Sequence, residues 1–303
     1  MTYRIWQPEH RRRPRITRRP RITRRGRTTR RPRITRRGRI ALLVGAVLAV
    51  AAAAVTIPLL LRNEPEPAVE KPRSLVIPEG WRAGQVYAAV DRSLGLPEGT
   101  TRAAAAQATA PALPAEAAGN PEGYLFPATY PVLSSTTPES LLRYMVDTAS
   151  KRFGAGRVGA GAQGKGLTPH QTVVVASIVQ AEADTPEDMG KVARVVHNRL
   201  ARGMALQMDS TLNYALARWT VDTTHEDTRL DSPYNTYERT GLPPTPIGNP
   251  GEEAMRAAVE PPEGEWLYFV TVRPGDTRFT ADYAEHLVNV SEFNAERRAA
   301  KAG

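Results

Sequence analysis

Glu182 is the residue of this sequence whose setting could do acid–base chemistry. It closes the stretch 169–183, whose body is Val173-Val174-Val175-Ala176-Ser177-Ile178-Val179. On a helix, Ile178, Val179 and Val175 lie one and two turns before Glu182 on its own face. Apolar neighbours and the negative end of a helix dipole both disfavour a carboxylate, so the pKa of Glu182 is predicted to rise. A carboxyl that keeps its proton near neutral pH is what a general acid needs; taken alone, the same position also suits an exposed terminal Glu. Other chemistries find less support. His10, His170, His197, His225 and His286 are too scattered for a zinc motif, and no His-Glu-x-x-His helix occurs. There is no phosphate-cradling glycine loop and no Gly-x-Ser-x-Gly elbow. Zero Cys excludes disulfides, thiolate metal sites and Cys nucleophiles. No cofactor is indicated, and His286 is expected to pack within the last helix.

The elements that must position Glu182 are well punctuated. Thr137-Pro138, Thr168-Pro169 and Thr185-Pro186 each read as a helix start, with Thr as the cap and Pro at the first helical position, where it loses no bond. Gln171 and Asp188 stand three residues after their Thr and complete capping-box patterns. These signals predict helices over 138–152, 169–183 and 186–201. Beyond Leu206 the chain turns to segments rich in Pro, Gly and Tyr, then to a strand at 266–272 and a final helix at 281–296. Upstream, Leu75-Val76-Ile77-Pro78 reads as a short strand, Glu79-Gly80 as a turn and 83–94 as a helix. The Ala/Pro-rich stretch 103–119 carries little information, and the Gly-rich 154–166 reads as a loop.

The N-terminal end has another character. Residues 1–39 hold 17 of the 41 Lys and Arg and one acid, Glu9, a charge of +16. The other 264 residues, which bring the total to +10, therefore carry −6. Within the basic arm a hexapeptide repeats, beginning Arg13-Pro14-Arg15-Ile16-Thr17-Arg18. So many like charges with so little apolar surface predict disorder, and the period is too short for a solenoid. Such an arm suits anionic lipid; specific nucleic-acid binding is not expected, because neither interleaved aromatics nor a binding fold accompanies it. Residues 40–61 are 22 residues without a charge, about 33 Å as a helix and enough to span a bilayer. Arg before and Glu64, Glu66 and Glu70 after predict a cytoplasmic N-terminus. Ala51 to Ala54 could mimic a signal-peptide cleavage site, but the apolar run is longer than such a peptide needs.

Several segments occur in a fixed order: Glu122-Gly123-Tyr124-Leu125-Phe126-Pro127-Ala128-Thr129-Tyr130, Ala176-Ser177-Ile178-Val179-Gln180-Ala181-Glu182, Asn198-Arg199-Leu200, Leu206-Gln207-Met208-Asp209-Ser210-Thr211, Ser232-Pro233-Tyr234-Asn235-Thr236-Tyr237 and Gly241-Leu242-Pro243-Pro244-Thr245-Pro246-Ile247. Asn249-Pro250-Gly251, Leu267-Tyr268-Phe269-Val270 and Glu285-His286 follow. From Leu75 to Ala295 the chain resembles the YceG-like endolytic murein transglycosylases. The resemblance implies an α+β fold: a single N-terminal transmembrane helix, a small LysM-like module, and a mixed helix/strand catalytic domain. The boundaries are an arm at 1–39, a transmembrane helix at 40–61, a linker at 62–73, the module at 74–120, the catalytic domain at 121–297 and a tail at 298–303.

The same resemblance puts the family's catalytic Glu on Glu182. The first Glu of the family's Ser-Ile-(Val/Ile)-Glu-x-Glu pattern is here Gln180, which cannot donate a catalytic proton and is left to hydrogen bonding. Ala128 stands where the family usually has Asp, and Arg278 where it often has His. Asn198, Gln207, Asp209, Ser232, Tyr234 and Asn235 suit a saccharide groove, since amides and carboxylates bind sugar hydroxyls and aromatic faces lie against the rings. Asp209 could orient substrate or steady a developing positive charge, or could cap the next helix through the Thr211 N–H. Ser232 to Tyr237 could equally be a Pro-stabilised turn. The implied activity is cleavage of the MurNAc–GlcNAc bond of nascent glycan strands, leaving 1,6-anhydro-MurNAc ends that terminate elongation. Peptidoglycan strands are the implied substrate and cell-wall synthases the implied protein partners, with the catalytic domain outside the plasma or inner membrane. The competing class is a catalytically silent peptidoglycan-binding scaffold, which the retained Glu182 argues against. The charge step across 40–61 predicts that a reporter working only outside the cytoplasm is active when fused after Gly303. Activity there of a cytoplasm-only reporter would sink this topology.

Overall fold

In the computed structural model, which describes residues 35–61, 70–107, 113–154, 166–219 and 223–302, the uncharged run folds as one helix, α1 (Arg36–Leu61). It starts earlier than 40 because Arg is a good helix former and Thr35 serves the first turn, accepting the Arg39 N–H on its carbonyl at 3.0 Å. Leu42, Leu43, Leu48 and Val50 are all exposed. Among the described residues α1 is the one helix long and apolar enough to cross a membrane. The expected disorder of residues 1–34, the linker at 62–69 and the loop at 155–165 lie outside the described residues.

Residues from Glu70 onward form a separate compact unit. Strand β1 (Arg73–Val76) pairs antiparallel with β2 (Thr129–Val132), Leu75 opposite Tyr130. Between them come α2 (Ala83–Leu94) and α3 (Thr100–Gln107), the latter begun just before the stretch 103–119 that carried little sequence information and continuing into it. Buried Asp91 makes that start: its carboxylate accepts from the Gly99 and Thr101 N–H groups and from the Thr101 hydroxyl. The stretch 74–120 thus shares its sheet and one apolar core with residues beyond 120.

Three helices follow, α4 (Pro138–Gly154), α5 (Pro169–Glu182) and α6 (Pro186–Ala201), each begun by its Thr-Pro pair. The caps differ in how far they close. Thr168 and Gln171 form the reciprocal box, at 3.2 and 2.9 Å. Thr185 accepts from the Asp188 N–H, but no return bond forms, because Asp is a methylene shorter than the Glu or Gln the box requires. At the first pair the return bond comes from Ser140.

Helix α5 is buried from Val173 through Val179. A helix apolar on all sides belongs inside a protein, and here α6, the short α7 (Asp209–Ala215) and α8 (Glu252–Val259) pack around it. The expected strand at 266–272 appears as β3 (Tyr268–Arg273), turned at Pro274-Gly275 into β4 (Asp276–Thr280). Helix α9 (Tyr283–Ala302) lies on this hairpin and continues through the residues assigned to a tail.

A single buried side chain ties three distant segments together. Asn249 accepts the Leu125 N–H at 2.8 Å and donates to the Trp81 carbonyl at 2.7 Å, while its own carbonyl takes the Gly80 N–H. A Cβ on neighbouring Gly248 would come within 2.8 Å of the Gly80 carbonyl oxygen, so the two backbones meet only because this residue is Gly. Asn249→Ala orphans the buried Leu125 N–H and leaves the Trp81 carbonyl with the backbone N–H of residue 249 alone, and should lower unfolding stability by about 1 kcal/mol or more. Denaturant titration of the full-length protein in detergent measures it.

Candidate active site

Glu182 ends α5 where its core-packed face meets the start of α7. The residue keeps a partly exposed edge, yet burial is the largest influence on its carboxyl and pushes its pKa up. The Asp209 carboxylate adds to the rise. Ser210 opposes it: its N–H donates to Glu182 Oε1 at 3.3 Å. The Ser210 hydroxyl also pulls the value down by proximity, although this buried group reaches no partner at hydrogen-bonding geometry. The balance is a raised pKa, as the apolar run before Glu182 predicts.

Asp209 opens α7 without capping it. Met208 is the cap residue, and the Thr211 N–H goes to the Met208 carbonyl instead. The Asp209 carboxylate accepts from the Tyr237 hydroxyl at 2.6 Å. Burial first, then the two nearby carboxyls of Asp209 and Glu182, push the Tyr237 phenol far above its ordinary value, so it stays a hydrogen-bond donor. Glu182, Asp209, Ser210 and Tyr237 therefore form one cluster, from three segments well separated in sequence.

The walls of this cluster are built by side chains that hold backbone. Buried Arg199 donates to the carbonyls of Ala205, Leu206 and Leu267 and to Gln207 Oε1. Gln207 is exposed, at φ 53°, and its N–H donates to the Thr236 carbonyl. The Thr236 hydroxyl accepts the Met208 N–H. These bonds fix the 205–208 turn that delivers Asp209.

Other expected site residues lie in this framework with their polar atoms engaged by the protein. Gln180 accepts the Gly251 N–H at 2.9 Å. Asn198 donates to the carbonyls of Gly264 and Trp266. Asn235, fully enclosed, donates to those of Thr228 and Leu230. Ser232 accepts the Tyr234 N–H, forming the Pro-stabilised turn. Tyr234 pairs its hydroxyl with Thr245 and packs against Tyr214, ring centroids 5.0 Å apart. His286 packs where expected, stacked on Tyr268.

Sequence reasoning did not single out Tyr237, Ser210 or Arg199 by role, although each sits in an ordered segment. It also passed over Glu122. That carboxyl is buried, accepting the Ala83 N–H at 2.9 Å and the Tyr214 hydroxyl at 3.2 Å; burial raises its pKa to about 7, against these bonds and the Arg82 charge. Among the described residues, no three His, Asp or Glu side chains converge as metal ligands would.

A mixed helix/strand body built on a buried helix that ends in a protonatable carboxyl defines the class. The chain belongs to the YceG-like family, whose sequence model matches residues 51–292. Relatives named endolytic murein transglycosylase include one from Bacillus subtilis, 36% identical over 166 residues, 54% of this chain and 46% of that protein. Another, from Streptococcus pneumoniae serotype 2, is 34% identical over 177 residues, 56% of this chain and 32% of its own length. The match thus spans half or less of these relatives. A solved yceG-like protein from Listeria monocytogenes superposes with a TM-score of 0.63 at 29% identity, covering 71% of this chain and 74% of that one.

The raised pKa of Glu182 has a thermodynamic consequence of fixed sign. Between the ordinary carboxylate value and the raised one, the folded protein holds a proton that the unfolded chain has released, so this group's contribution to stability is lost as pH rises through that window. Glu182→Gln removes the ionisation. Its melting temperature relative to the unsubstituted protein should increase between pH 4 and pH 8, and a pH-independent difference would show that the carboxyl is not desolvated.

Proposed function

We propose that this chain is a membrane-anchored endolytic lytic transglycosylase of peptidoglycan. The observation that carries the reading is the Glu182 carboxyl, whose burial favours the protonated form and which is held by the Ser210 N–H beside Asp209 and Tyr237. Family membership and the names of the relatives support the same substrate class. Protonated Glu182 donates to the oxygen linking MurNAc to GlcNAc, and that glycosidic bond breaks. The C6 hydroxyl of the same muramic acid attacks its C1 and returns a proton to the Glu182 carboxylate. The product is a 1,6-anhydro-MurNAc end, and no water is consumed.

A hydrolase of this kind needs two carboxyl groups in catalytic roles, whereas an intramolecular nucleophile leaves one sufficient. Asp209, anchored by Tyr237, is then free to steady the positive charge that develops on the sugar ring. Gln207, exposed beside Asp209, is the best placed of the expected amides to reach a sugar hydroxyl. Gln180, Asn198, Ser232 and Asn235 act by shaping the loops, and Tyr234 lends a ring edge. Helix α1 anchors the protein with its N-terminus in the cytoplasm, which sets the body against nascent strands beside the cell-wall synthases and lets cleavage end elongation.

Glu182→Gln keeps size and some hydrogen bonding but has no proton to give. Cleavage of un-crosslinked glycan strands by the full-length protein in detergent should fall at least about 100-fold. Mass spectrometry of the products should find ends lighter by one water than hydrolysed ends. Reducing ends would make the protein a muramidase with Asp209 as second carboxylate, and binding without any cutting would make it a scaffold.

A further inference from the structure

Helix α7 leads from the acid to a second feature. Ser210, at its start, touches Glu182; Tyr214, one turn on along the same face, lies about 6 Å further. The Arg82 guanidinium sits 5.0 Å from the centroid of the Tyr214 ring and 3.9 Å from that of the Trp219 ring, and donates to the Arg218 carbonyl at 3.1 Å. Glu122 fixes this group from below through the Tyr214 hydroxyl and the N–H of Ala83. Side-chain bonds hold the backbone that carries Trp219. Arg218 pairs both terminal nitrogens with Asp227 and donates from Nε to Asn213, and the hydrogen bonds from Arg218 hold the Asp227 carboxyl well below the usual range.

Trp219 is nevertheless 59% exposed. An indole held in water on a fixed scaffold, with a cation against one face, is oriented for a ligand rather than for the core. We propose that Trp219, backed by Arg82, is a saccharide-binding shelf away from the cleaved bond, on which a pyranose ring of the glycan strand stacks. The proposal rests on the glycan-strand reading above and adds the subsite. A sugar fits because its ring presents an apolar C–H face to the indole, on the side that Arg82 does not cover. Trp219, Arg82 and Tyr214 are in successive contact, and Tyr214 stands one helical turn from Ser210, which touches Glu182, so one extended strand can occupy both places.

Trp219→Ala, in the full-length protein in detergent, should raise KM for un-crosslinked glycan strands about 10-fold, the scale of one lost aromatic contact, with kcat within about twofold. Trp219→Phe, which keeps a stacking face, should recover most of the loss, and the defect should shrink as the strands are shortened. An unchanged KM, or a fall confined to kcat, overturns the shelf. Should the unsubstituted protein leave strands intact, the catalytic reading fails separately. Co-sedimentation with the strands then decides the shelf: weaker retention of Trp219→Ala supports it, and equal retention overturns it.

Discussion

A carboxyl group at the end of an otherwise enclosed apolar helix is the constraint around which the candidate active site is arranged. Helix α5 buries Val173 through Val179, and continuing that pattern for one more turn would have sealed the helix end in the core. Glu182 stands there instead. Its ionised form loses hydration, faces the negative end of the helix dipole and meets a second carboxylate at Asp209. A single N–H from Ser210 offsets only part of this. The site thus stores its chemistry as an unfavourable ionisation, and the surrounding packing supplies the stability that tolerates it.

Much of the backbone near the acid lies outside regular structure, so its polar groups need side-chain partners. Arg199 serves three carbonyls, Asn249 ties the loop at 80–81 to residue 125, and Asn198 and Asn235 each hold two carbonyls. Asn198 and Asn235 read from the sequence as sugar ligands because an amide serves both purposes with the same hydrogen bonds. Their environment decides between the two. Asn235 is fully enclosed, whereas Gln207, two residues before Asp209, is exposed.

Helix α7 is too short to be stable by itself, and its position comes from what grips its two ends. Glu182 and Tyr237 hold its first residues, while Glu122 and Arg82 hold Tyr214 at the other. The N-terminal strand–helix segment is thereby connected to the acid through side chains, and not only through the shared sheet of β1 and β2. A rigid link of this kind suits a polymer substrate, because it fixes the distance between the proposed point of cleavage and a remote sugar.

What the sequence by itself determined was local or periodic. The Thr-Pro caps, the helix bounds of α2 and α5, the apolar span within α1 and the apolar neighbours that disfavour ionised Glu182 all follow from residues within a few turns of one another, where propensity and spacing act directly. Long-range partners were decided by tertiary structure alone. Asp209 meets Tyr237 across 28 residues, Glu122 meets Tyr214 across 92, and Arg82 reaches the Arg218 carbonyl across 136. The strand β4 escaped notice because its polar residues give no alternation strong enough to read, and β3 supplies its pairing. Linear spacing carries no term for contacts of that separation; only the folded chain, closing its loops against α5, brings those groups within hydrogen-bonding reach.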